Sequence, residues 1–490
     1  MSSPATLNRP WSCDTFLVAA DRAAAGATLL AKNSDRPAGE CQPLRFHPAR
    51  TGGGTLELAY RSIPDAEATY AHLGASPYWC WGHELGLNER GVAIGNEALF
   101  TRPLAEAITR ARAGTPDEPG ILGMELLRLG LERGGTADEA LEVMIALLEQ
   151  YGQWGSGVGG RAPEGGAYDN SFMVADATGG WVLETAGRHW AARKISSGTW
   201  SISNQPTLRR HTDRMSEGLP DLAVRSGWHP KGPDFDFARA VTDPMTPLQA
   251  SQPRLQRSRQ LLADAGAVDE RRAMGVLRDH YEGSFLDGPF FSAALPDLLT
   301  ICMHEHPAGF TWGNTASSTV CVLPGADRLA RMWWAAGTPC TGVYVPLWVE
   351  AQAVPAPLAA AGSHAGQVQP PEVAERDHFD PQSYWWRFLQ LLEATKGGQL
   401  AWDFAARQPV VRAAFDALEQ RWLAEVPAVE EEAIAARTSD PARCASILGR
   451  FTESCVAEAT GVLEKLLVDF TGSLDDVDAR WSTAEVAALS

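Results

Sequence analysis

The stretch PWSCDTFLVAAD, residues 10–21, sets one cysteine directly ahead of a short apolar run with β-branched and aromatic members, the mark of a buried strand. A second run of the same kind, GATLLAKNSD (26–35), follows across DRAAAG, and the two are expected to pair as a hairpin. TLELAYRSI and GVAIGNEALF continue the strand-rich pattern to about residue 100. Between 103 and about 152 the apolar period becomes helical, broken at RGGTADEA, where glycine stops one helix and Thr136 or Asp138 can cap the next.

Strands resume in NSFMVADATGGWVLETAGRHWAARKI and TWSISNQPTL after a glycine-rich loop, GSGVGGRAPEGG. That loop has no lysine or helix-opening Ser/Thr at the offset a phosphate cradle needs, so it is expected to be a flexible loop or lid. Residues 234–290 contain a helical region in SQPRLQRSRQLLADAG and ERRAMGVLRDHYEG, and LLTICMHEH, SSTVCVLPG, RLARMWWAAG and TGVYVPLWV are expected to be late strands. Residues 353–372 have the composition of a linker. Residues 373–490 read as helices, with Leu448, Phe451, Cys455, Ala459, Val462, Leu466 and Phe470 on one stripe. The whole reads as an α+β body with a C-terminal helical appendage.

Bulk composition narrows the function. With 42 Lys plus Arg against 60 Asp plus Glu, the net charge is −18, which repels phosphate backbones and anionic lipid, so neither nucleic acid nor membrane is an expected partner. No apolar run approaches a membrane span and the first dozen residues hold no signal-type apolar core, so a cytoplasmic location is expected. The eight cysteines are scattered singly, which fits reduced thiols in a small-residue core role.

Cys13 is the exception. A thiol nucleophile needs a base, and no histidine follows closely. The alternative base is the α-amino group of Cys13 itself, with a reference pKa of about 7.7–8.0, and it exists only if the Ser12–Cys13 bond is cut. SCDTFLVAADRAAAGATLLAKNSDRP, WGHELGLNERGVAIGNEALFTR, FMVADATGGWVLETAGRHWAARKI and SISNQPTL together resemble, in that order, the secernin and dipeptidase-A family of N-terminal nucleophile hydrolases. More distantly they resemble bile salt hydrolases and penicillin V acylases, and the likeness runs from about residue 12 to 350.

The resemblance implies an αββα sandwich and a set of roles. Residues 1–12 would be a propeptide lost by self-cleavage, and 13–352 the catalytic domain. Cys13 would be nucleophile and, through its amine, general base. Asp35 would orient that amine, and Asn96 and Asn204 would serve the oxyanion. Lys32 stands where the acylases carry arginine and would contact substrate. Among Arg254, Arg257 and Arg259, Arg257 is favoured as the remaining site arginine by approximate alignment. Glu89 and Glu97 are expected to be structural. The implied activity is that of a dipeptidase acting on small peptides without a cofactor, the alternatives being an N-acyl amide hydrolase or a non-hydrolytic regulatory protein. Assembly into a homo-oligomer is compatible with the sequence.

ICMHEHP carries a separate possibility: on a strand Cys302, His304 and His306 would share one face, yet a closed zinc site needs a fourth ligand. No metal is therefore expected, and His304 is assigned to substrate contact. Trp79 and Trp333–Trp334 are expected in the core rather than lining a pocket.

Overall fold

The computed structural model describes residues 12–232, 234–245, 251–287, 299–305, 311, 313–364, 368–398 and 400–482. In chain order the strands of the first part are β1 (Cys13–Val18), β2 (Thr28–Pro37), β3 (Leu44–His47), β4 (Arg50–Thr51), β5 (Thr55–Glu57), β6 (Ser62–Pro64), β7 (Ala68–Thr69), β8 (His72–Ala75), β9 (Leu85–Asn88) and β10 (Ala93–Leu99). They are followed by β11 (Asp169–Asp176), β12 (Gly179–Ala186), β13 (His189–Ile195), β14 (Thr199–Ile202), β15 (Arg214–Met215), β16 (Gly313–Leu323), β17 (Arg331–Ala336) and β18 (Val345–Leu347).

Among the described residues these make two large antiparallel sheets, of order β14-β1-β2-β16-β17-β18 and β15-β13-β12-β11-β10-β9-β8-β3, while β4–β7 and β5–β6 form small ribbons. The expected hairpin is present, with Cys13 opposite Ser34 and Thr15 opposite Lys32. Alternation along a strand then assigns the faces. Cys13, Thr15, Lys32 and Ser34 look toward the second sheet, where Lys32 meets Glu97 of β10. Asp14, Asn33 and Asp35 look the other way, toward the helices, where Asn33 Nδ2 donates to Leu277 O and Ile301 O, both at 2.8 Å.

The layers are α, β, β, α. Helices Gly123–Arg133 and Ala137–Tyr151 cover the outer face of the eight-stranded sheet, while Gln252–Asp264, Glu270–Leu277 and the C-terminal helices cover the six-stranded one. Small residues set the first contact. A Cβ at Gly123 would lie 2.2 Å from Asn170 Oδ1 and one at Gly130 2.9 Å from Ile94 Cδ1, so the helix sits closer to the sheet than any larger residue permits. No described helix is long and apolar enough to cross a membrane.

The C-terminal region is helical as expected, in Tyr384–Lys396, Phe404–Arg437, Pro441–Thr471 and Leu474–Trp481. It packs directly on the six-stranded sheet: Trp385 Nε1 donates to Ala316 O at 2.6 Å and Thr452 Oγ1 to Pro346 O at 2.8 Å. One continuous apolar core runs from Phe16 through Trp334 and Trp348 to Trp422 and Leu467. Trp79, Trp333 and Trp334 are all buried.

Two expectations about local structure fail. Residues 299–305 form no strand, because their polar groups are taken individually by Asn33, Asp279 and Thr315 rather than by a ladder. The glycine-rich loop is tied down, with Gly157 O accepting from Arg36 Nη2 at 2.8 Å and Gly160 N donating to Pro371 O at 2.7 Å.

Candidate active site

Cys13 opens β1, where the ladder with β14 has not yet begun, so its own backbone groups need other partners. Side chains supply them. Cys13 N donates to Asn204 Oδ1 at 2.9 Å, and Cys13 O accepts from Arg254 Nη1 at 2.9 Å and from Ser203 Oγ at 3.4 Å. Arg254 Nη2 also donates to Asn204 Oδ1 at 2.8 Å, and its Nη1 pairs with Asp14 Oδ2 at 2.5 Å. The chain is continuous through Ser12, so Cys13 N is here a peptide amide.

Asp35 lies across the hairpin. Its Oδ1 accepts from Thr315 Oγ1 at 2.6 Å and its Oδ2 from Ser12 Oγ at 2.8 Å, while Cys13 Sγ accepts from Asp35 N at 3.4 Å. Burial raises the Asp35 carboxyl, opposed chiefly by Arg254. Burial likewise holds the Cys13 thiol well above its ordinary range, with Lys32 as the main counterweight. That lysine is buried, donates to Asn96 O, and lies 3.7 Å from Glu84 and 3.8 Å from Glu97. Among the described residues no histidine hydrogen-bonds the thiol.

Several assignments change. Arg257 turns away to make a two-point pair with Asp279 at 2.6 and 2.9 Å, and Arg254 is the arginine at Cys13. The two are three residues apart on one helix, so which one meets the sheet depends on how that helix docks. The Asn96 side chain lies on the helix face of β10, between Glu84 and Asn170, and only its carbonyl reaches Lys32. His304 is buried beside His280, Cys302, Cys340 and Phe404, with no exposed surface for a substrate. His306 lies outside the described residues. Lys32 faces the carboxylates of the second sheet, buried, rather than open solvent.

Glu97 and Asp14 are buried neighbours of the site that the motifs did not single out for chemistry. Glu97 accepts from Thr15 Oγ1 two residues along β1 from Cys13, and burial pushes its carboxyl up to about 8 against the pull of Lys32. Burial raises Asp14 to about 7 despite Arg254.

The two helix-flanked antiparallel sheets, with a cysteine at the first position of an inner strand, are the αββα arrangement that the motifs led us to expect. Residues 12–241 match the family model described as Peptidase family C69, a span holding all four motifs that carry the resemblance to the dipeptidase and secernin group. A dipeptidase of Bifidobacterium longum is 30% identical over 202 residues, 38% of this chain and 35% of that one. The match thus covers about a third of that relative's length. Two solved structures share 13% identity: a mutant of conjugated bile acid hydrolase from Clostridium perfringens, covering 66% of this chain and 89% of that one with a TM-score of 0.37, and the Caenorhabditis elegans ortholog of N-acylethanolamine-hydrolyzing acid amidase, covering 64% and 95% with a TM-score of 0.28.

Proposed function

We propose that this protein is a cysteine-dependent amide hydrolase, a dipeptidase, whose nucleophile and base are both Cys13 after removal of residues 1–12. The observation that carries this reading is the way Cys13 is held: side chains of Asn204 and Arg254 grip its backbone nitrogen and oxygen, and no histidine among the described residues serves its thiol.

Processing follows from the same contacts. The Cys13 thiol attacks the Ser12 carbonyl, the peptide nitrogen leaves as the Cys13 amine, and water hydrolyses the resulting thioester. Departure of Ser12 empties the hydrogen-bond site on Asp35 Oδ2 that its hydroxyl holds at 2.8 Å. The freed amine takes that acceptor together with Asn204 Oδ1, which already receives the Cys13 nitrogen.

In turnover the neutral amine takes the thiol proton and Sγ attacks the scissile carbonyl. Asn204 Nδ2 spends one proton on Ala98 O at 3.0 Å and has a second for the oxyanion, a contribution of about 3 kcal/mol for such a donor. The amine then protonates the leaving nitrogen, and water releases the acyl group. Lys32 lowers the cost of the thiolate, and Arg254 fixes Asn204. The eight unpaired cysteines support a reduced, cytoplasmic setting.

Intact-mass spectrometry on the purified protein, coupled to release of amino acids from dipeptides, tests the reading. A chain starting at Cys13 is expected, with kcat/KM rising through an apparent pKa of about 7.7–8.0 as the amine loses its proton. Cys13→Ala removes both processing and turnover. An active enzyme that keeps residues 1–12 overturns the mechanism.

A further inference from the structure

Away from Cys13, four potential metal ligands from three separate parts of the chain meet in one buried pocket. His280 follows the helix Glu270–Leu277, Cys302 and His304 sit on the irregular segment 299–305, and Cys340 lies in the turn between β17 and β18. All four side chains are buried, and one donor atom from each lies within 4.8 Å of all the others. His304 Nε2 is 3.1 Å from His280 Nε2, 3.2 Å from Cys340 Sγ and 3.7 Å from Cys302 Sγ.

We propose that His280, Cys302, His304 and Cys340 form a closed tetrahedral site for a structural zinc ion. Zinc takes imidazole nitrogen at about 2.0–2.1 Å and thiolate at about 2.3 Å, and tetrahedral angles then put ligand atoms about 3.3–3.8 Å apart. The three distances match that spacing to within a few tenths of an ångström. Two sulfurs and two nitrogens are a set zinc accepts as complete, leaving no position for water or substrate.

The surroundings fit a cation better than a hydrogen-bonded cluster. His280 Nδ1 lies 2.9 Å from Glu282 Oε1, and donating there leaves the Nε2 lone pair aimed at His304. A carboxylate behind a metal-bound imidazole is the usual support for such a ligand. Leu392, Ala401 and Phe404 of the C-terminal region close the pocket with apolar surface, a dry shell around four convergent donors. On binding, the two thiols give up their protons to solvent and the ion takes both thiolates and two neutral imidazoles.

The site is a staple beneath the catalytic strands. Segment 299–305 presents Ile301 O to Asn33 at 2.8 Å and Met303 Sδ to Ser12 Oγ at 2.8 Å. Met303 N also donates at 2.9 Å to Thr315 Oγ1, the hydroxyl that holds Asp35. Fixing Cys302 and His304 therefore fixes the floor under Asp35.

The test uses the full chain, purified under reducing conditions with zinc. Elemental analysis is expected to find one zinc held by this cluster, and exchange into cobalt(II) to give the intense visible bands of tetrahedral cobalt with thiolate charge transfer. Cys302→Ser/Cys340→Ser loses the charge-transfer band. Metal held by the other clustered histidines, His47, His72 and His83, has no sulfur ligand and gives no such band. Glu282→Gln weakens zinc about tenfold with the ligands intact. Because the double variant can fail to fold, wild-type protein is also alkylated with iodoacetamide and mapped by peptide mass, with Cys302 and Cys340 protected until a chelator removes zinc. Absence of the thiolate band, alkylation indifferent to zinc, or a Cys302–Cys340 disulfide in the zinc-supplied protein each overturns the proposal.

Discussion

At the scale of single residues, Arg254 connects the most groups at the site. It touches Cys13 O, Asn204 Oδ1 and Asp14 from a fully buried position. Arg254→Leu leaves Asp14 buried and unpaired, and is expected to cost about 3–5 kcal/mol of stability in urea titrations. Arg254→Leu/Asp14→Leu should recover most of that loss but not processing or turnover, since Asn204 Oδ1 and Cys13 O each lose the guanidinium as one of their two donors. Recovery of activity along with stability would reduce Arg254 to a structural counter-ion. Glu97 yields a pH prediction. Its carboxyl binds its proton up to about 8 in the folded chain, above its unfolded value, so the folded state holds more protons in between. That group's contribution to stability therefore falls as pH rises from about 4.5 to about 8, and Glu97→Gln should flatten this slope in unfolding curves taken across the range. A steeper slope in the variant would contradict the assignment.

At the scale of elements, the position of β10 depends on the helix Gly123–Arg133. Gly123 lies against Asn170, whose side-chain amide in turn meets that of Asn96 on β10 at 3.1 Å. Gly123→Ala forces Asn170 or the helix to move, and overpacking of this kind costs about 1–3 kcal/mol. A lower melting temperature together with a lower kcat is the expected pair of readouts, because β10 also carries Glu97 and the Asn96 carbonyl that Lys32 meets. The hairpin and the helix pair were legible in the sequence, since each writes its period in a dozen neighbouring residues. Segment 299–305 was not, because an apolar run of that length looks the same whether a ladder or scattered side chains take its polar groups.

At the scale of the whole molecule, the C-terminal helices are part of the core. Trp422 is buried, Trp348 Nε1 donates to Glu430 Oε1 at 2.9 Å, and Tyr344 N donates to Glu419 Oε1 at 2.9 Å, so the helix Phe404–Arg437 is tied to the residues on both sides of β18, at the edge of the six-stranded sheet. Trp422→Ala is expected to destabilise the whole chain by about 3–5 kcal/mol in a single cooperative transition. A chain ending at residue 372 should be insoluble, with Trp334 and Trp348 uncovered. A soluble, active truncation would show instead that residues 13–352 fold alone.

The sequence by itself determined the N-terminal hairpin and the helices Gly123–Arg133 and Ala137–Tyr151, because those readings rest on local period, while Cys13, Asp35 and Asn204 were grouped by the resemblance that short motifs of contiguous residues carry. Only the tertiary structure decided between Arg254 and Arg257, turned the Asn96 side chain away from the thiol, joined the C-terminal helices to the core and gathered His280, Cys302, His304 and Cys340. Those outcomes depend on the angle at which one element docks on another, and on contacts between residues scores of positions apart. Neither leaves a pattern along the chain.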